Sequence, residues 1–213
     1  VIVSRRCSSS RPWRRRLRLA SGVVFFELEA PELVEVNLIG TVCHSQEAVD
    51  AEPLSSPVRT PAPDVPALIQ VPDGHKVSYH TFATGVQKYI CQETSPGVYT
   101  WVFKAPVATL YTNAGFNGNG VGIHYAGPVW ESNSGSWVKG ARVEGVSVDP
   151  QSIPWLLLKA VATEGPGIFK NTTYIHRTHT VGGIAPATGA TAANVGQEIE
   201  VPYTAEYYFY TAE

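Results

Sequence analysis

From Lys76 to the end of the chain, apolar, β-branched and aromatic residues recur with a period of two, and glycine or proline breaks the pattern at short intervals. A period of two places successive side chains on opposite faces of an extended strand, whereas a helix needs apolar residues three or four apart. Lys76–Phe82, Val86–Gln92, Val98–Lys104, Val107–Thr112, Trp137–Val148, Thr172–Val181, Glu198–Tyr203 and Ala205–Tyr210 all read as strands. Gly85, Pro96-Gly97, Pro106, the loop 113–122 with its four glycines, residues 132–136, Gly182-Gly183 and Pro202 punctuate them. The apolar run Ile153–Thr163 fits either a doubly buried strand or a short helix. Short strands at regular spacing predict an all-β fold, an antiparallel β-sandwich or barrel-like domain with long Gly-rich loops.

The first quarter of the chain differs. Residues 1–26 carry seven arginines and no acidic residue before Glu27. That make-up fits an organellar transit peptide, a secretory leader with a short apolar run, or an arginine arm for nucleic acid. The sequence contains no methionine, so the preferred expectation is that this stretch is not native mature protein. Residues 27–65 turn acidic and then rich in proline, with Pro53, Pro57, Pro61 and Pro63 excluding regular structure. The expected organisation is a disordered or non-native leader and linker over 1–63 and one all-β domain over 64–213.

A net charge of −2 gives no general pull toward nucleic acid or an acidic membrane surface. No apolar run reaches the ~18 residues of a membrane-spanning helix. The three cysteines, Cys7, Cys43 and Cys91, are an odd set and define no closed disulfide framework. The chain lacks a G-x-S-x-G elbow, a phosphate-binding loop and an H-E-x-x-H zinc motif.

The densest chemistry lies in GIHYAGPVWE, residues 122–131. His124 can move a proton near neutral pH, and Glu131 can orient it or act as acid or base, which makes these two the catalytic candidates. Tyr125 and Trp130 are candidate ligand-binding residues, since flat rings with polar edges suit a sugar. Against this, alternation sends His124 and Tyr125 to opposite faces and leaves Trp130 for the core. In TYIHRTHT, His176 and His179 stand three apart and point to opposite faces of a regular strand, so they do not form a metal pair. Arg177 and His179 share a face there and are candidates for holding an anion. His75 and His80 have no partner at metal spacing, and no metal site or cofactor is expected. Trp101, Trp137 and Trp155 sit in strong strand patterns and are expected in the core.

Six strings occur together in order: ATGVQKY (83–89), WVFKAP (101–106), HYAGP followed by Trp130 (124–130), IPWLLLKAV (153–161), TVGG.AP (180–186) and VPYTAEYYFY (201–210). As a set they resemble the domain-of-unknown-function family numbered 3455, over about residues 64–213. The resemblance implies a common fold and a protein usually found behind a secretion signal, and it brings no established activity. Some relatives bear a malate dehydrogenase label. The glycine loop GFNGNGVG (115–122) does not match G-x-G-x-x-G and leads into a strand pattern, so the label is unsupported. Relatives often carry a cysteine near the position of Ala190, and its absence here leaves Cys91 without that partner.

Two functions follow as expectations. The first is a secreted, extracellular or cell-wall-associated binding module for a carbohydrate or similar small molecule. The second is an enzyme with an unrecognised site around His124 and Glu131. An organellar location is the alternative if residues 1–26 are a true transit peptide.

Overall fold

The computed structural model describes residues 60–213 and the backbone of two short strands, Leu19–Ala20 and Val23–Val24. The chain divides into two units, Val1–Glu52 and Pro53–Glu213. In the first unit the two short strands pair antiparallel, Leu19 opposite Val24. The expectations for the leader, and those for Cys7 and Cys43, otherwise lie outside the described residues.

The second unit is a closed antiparallel barrel of eight strands. They are β1 (His75–Ser95), β2 (Val98–Tyr111), β3 (Gly122–Tyr125), β4 (Val129–Ser132), β5 (Trp137–Val146), β6 (Trp155–Glu164), β7 (Tyr174–Gly182) and β8 (Glu198–Ala212). Each strand pairs with the next in sequence, and β8 closes the circuit by pairing with both β7 and β1. An eight-stranded barrel has an interior that inward side chains can just fill. Here Ala83, Ala108, Leu110, Trp130, Val138, Leu158, Ile175, Tyr203, Ala205, Tyr207 and Phe209 fill it, with Phe169 from the β6–β7 connection packed on Phe209. Gly140 makes room for the largest of them, because a Cβ there would stand 3.2 Å from the Trp130 ring.

The all-β expectation holds, and the run Ile153–Thr163 resolves as strand from Trp155 onward. Three elements are longer than the sequence implied. β1 runs through Gly85, β2 through Pro106 and β8 through Pro202. Proline removes one backbone donor, which matters only where a neighbouring strand needs it. β2 pairs with β3 only at Ala108–Leu110, and β8 meets β7 only from Tyr203 onward. Both prolines therefore lie where the strand has one neighbour instead of two.

Trp130 takes the core place that alternation left it, whereas the other strand tryptophans depart from expectation. Trp130 is 1% exposed inside the barrel, so it forms no external platform. Trp101, Trp137 and Trp155 are each only partly buried and none belongs to the core cluster. Strand alternation is the same on both sides of a wall, and only closure of the barrel decides which phase faces inward.

Ahead of β1, a single 3-10 turn at Ala67–Ile69 lies against the barrel. Ile69 is fully buried. Its carbonyl accepts from His176 Nε2 at 2.6 Å, while His176 Nδ1 accepts from the Tyr210 hydroxyl at 2.9 Å. The ring thus staples this strap to the outer face of β7 and β8.

Candidate functional site

The segment 122–131 folds as a tight hairpin, β3–turn–β4, with His124 opposite Trp130 and Ile123 opposite Glu131. This register separates the two catalytic candidates. His124 points inward, is 3% exposed, and donates through Nδ1 to the Val129 carbonyl at 2.8 Å. Burial pulls its pKa down to about 3, so the imidazole is neutral across the physiological range. Glu131 points outward and accepts from the Tyr125 hydroxyl at 2.9 Å. No hydrogen bond joins His124 to Glu131, and an acid–base couple needs one, directly or through one water. The expected pairing of these residues is corrected by the alternation of the strands that carry them.

Three of the sequence candidates, His124, Trp130 and Arg177, converge. His124 stacks on Trp130 with ring centroids 4.3 Å apart, and both rings meet Tyr207, at 5.1 and 5.3 Å. The Arg177 guanidinium lies beside the Tyr207, Tyr203 and Tyr89 phenols. Arg177 Nε and Nη2 both donate to the Pro154 carbonyl, at 3.1 and 2.8 Å. Tyr203 and Tyr207 hydroxyls stand 3.3 Å apart. Burial raises the pKa of both phenols, and the Arg177 charge only partly opposes it. Gln87, 2% exposed, completes this polar layer next to Tyr203. Tyr203, Tyr207 and Gln87 escaped the sequence reading, although polar residues in the inward phase of β1 and β8 were the available signal.

His179 leaves the company of Arg177. Between Thr178 and Val181 the β7 ladder contains a bulge, where His179 and Thr180 stand opposite the single residue Ala205. His179 adopts φ +47° and turns outward. It lies 3.7 Å from a Glu206 carboxylate oxygen that already accepts from His80 at 2.9 Å and from the Tyr208 hydroxyl at 2.7 Å. An extra residue reverses the phase of everything beyond it. Arg177 and His179 therefore occupy opposite faces, contrary to the shared face expected of a regular strand. Among the described residues no His, Cys, Asp or Glu side chains cluster as a metal centre. Cys91 is buried as a free thiol, 3.6 Å from the Thr191 carbonyl.

Outside the wall, β1, β2 and β3 form a shallow groove of about 330 Å³. The backbone at Gly85 and Ala108, whose Cβ positions face inward, makes a low floor, while Val86, Val107, Ile123, Thr84, Thr109 and Tyr125 border it. Val107 and Ile123 are about half exposed. Tyr125, held by Glu131, sets one border. Burial and the Glu131 carboxylate both raise the Tyr125 pKa, so the phenol stays protonated.

Fold and site together define a small, closed β-barrel domain with a polar layer inside and an open groove outside. The chain belongs to the family described as "Protein of unknown function (DUF3455)", whose model matches residues 72–211. No curated protein and no solved structure matches it. Among the described residues no helix is long and apolar enough to cross a membrane.

Proposed function

We propose that the domain is a secreted or cell-wall-associated binding module that takes carbohydrate in the groove over β1–β3. The observation that carries this reading is the Tyr125–Glu131 pair at the groove's border. Glu131 fixes the phenol ring through a 2.9 Å hydrogen bond and keeps a second carboxylate oxygen for a ligand hydroxyl. A ring with a carboxylate at its edge, next to half-exposed Val107 and Ile123 and the hydroxyls of Thr84 and Thr109, offers what a sugar needs. The sugar's C–H face packs on apolar surface while its hydroxyls meet oriented acceptors and donors. The secreted setting is supported by the company the family keeps, as a group usually found behind secretion signals. The separation of His124 from Glu131 removes the support that the enzymatic alternative drew from that pair.

A glycan and polysaccharide screen with the full chain tests the proposal. The expected result is binding that Tyr125→Ala weakens at least tenfold and Glu131→Gln weakens by a smaller factor. A Tyr125→Ala variant that binds as tightly as the parent, or a parent that binds no glycan, would overturn it.

A further inference from the structure

The polar layer inside the barrel contains a charge that no side chain answers. Four ion pairs occur among the described residues, and Arg177 is in none of them. The groups around its guanidinium are Tyr89, Tyr203, Tyr207 and His124. The three phenols have raised pKa values, chiefly through burial, and His124 is held neutral, so none contributes negative charge. A guanidinium has five N–H donors in a planar fork. Two of them are spent on the Pro154 carbonyl.

A second, separate feature points to the same place. Gln87 adjoins the Tyr203 hydroxyl, but its Nε2 makes no hydrogen bond of normal geometry and is sealed from solvent. A buried amide N–H without an acceptor is costly, and folded proteins rarely leave one. Gly183, at φ +81°, brings the β7–β8 connection close over this spot, where a Cβ would meet both Gln87 and Tyr203. The Tyr89 hydroxyl then donates to the Gly183 carbonyl at 2.5 Å. Tyr203 thus has a cation on one side and an orphaned donor on another, with no side-chain anion paired to either.

We propose that Arg177 and Gln87 form a binding site for a small monocarboxylate at this end of the barrel. One positive charge calls for one negative charge. Planar guanidinium and amide donors match the two oxygens of a carboxylate, and its single negative charge suits a lone cation better than the near-double charge of a phosphate. Ile153 and the tyrosine rings supply apolar contact for a short carbon chain. The site is independent of the outer groove and stands whether or not that groove takes sugar.

The test uses the full chain with acetate as probe, titrated at constant ionic strength against chloride. Ligand that binds only the folded state raises Tm in a saturable, concentration-dependent way. Acetate is expected to do so while chloride does not, and Arg177→Gln is expected to abolish the rise. Gln87→Leu keeps the charge and guards against a folding defect in the arginine variant; its apparent acetate affinity is expected to fall at least threefold. Three results would each overturn the proposal: no rise in the parent, an equal rise in Arg177→Gln, or undiminished acetate affinity in Gln87→Leu.

Discussion

His124 shows how one inward phase reverses a residue's chemical meaning. In the sequence it is a proton shuttle beside a glutamate; in the barrel it is a neutral ring stacked on Trp130 with its Nδ1 proton committed to a carbonyl. Its pKa falls from 6.5 to about 3 on folding, mainly because burial disfavours the cation. A depressed histidine pKa stabilises the fold fully above 6.5, and that stability drains away as pH drops from 6.5 toward 3. The expected slope is about 1.4 kcal/mol per pH unit from this residue alone. Urea unfolding at pH 7, 5 and 4 checks it: His124→Asn should lose less stability than the parent over that interval, with the remainder due to His176, His80 and the carboxylates. An equal loss in both would show that His124 does not carry the dependence. The sequence made the inward and outward sets of this hairpin readable as two alternating groups. Alternation already left Trp130 for the core; the rival reading survived because each group contains an aromatic ring and an ionisable side chain.

At the scale of the element, the bulge in β7 has the largest effect on what the strand presents. A single residue beyond the regular count moves His179 to the outer face, between Trp155 at 4.9 Å and the Glu206 carboxylate. Its φ of +47° is a conformation that a β-branched side chain adopts only with strain. His179→Val is therefore expected to cost about 1–2 kcal/mol. His179→Gly should change stability by less than about 1 kcal/mol, since relieved strain offsets the greater freedom of glycine in the unfolded chain. Chemical denaturation of both variants measures the difference, and equal destabilisation would mean the backbone is not strained there. The strand itself was legible from TYIHRTHT, and the bulge was not. A period-two pattern reports phase only while the count stays regular, and no glycine or proline marks the slip. The reverse applies at Pro106 and Pro202, where the sequence marks a break and the strand continues because one side has no partner to lose.

For the whole molecule, the barrel and its strap form a larger unit than the family match. The match begins at residue 72, whereas fully buried Ile69 lies before it. Ile69→Ala should cost about 2–5 kcal/mol, as for other large-to-small changes at closed sites. A loss below 1 kcal/mol in thermal or urea unfolding would show that the strap is dispensable. Barrel or sandwich was the limit of sequence reasoning here. Strand order depends on which distant edges meet, and β8 meeting β1 is a contact between the two ends of the domain.

That closure has a consequence for synthesis. All fifteen residues of β8 pair with β1, and its second half also pairs with β7. Until this last segment has left the ribosome, β1 and β7 each present a bare ladder of donors and acceptors, open to pairing with another nascent chain. The interval between completing β7 and delivering β8 is the period of greatest exposure, and holdase chaperones that mask strand edges would act there to raise the yield of closed barrels.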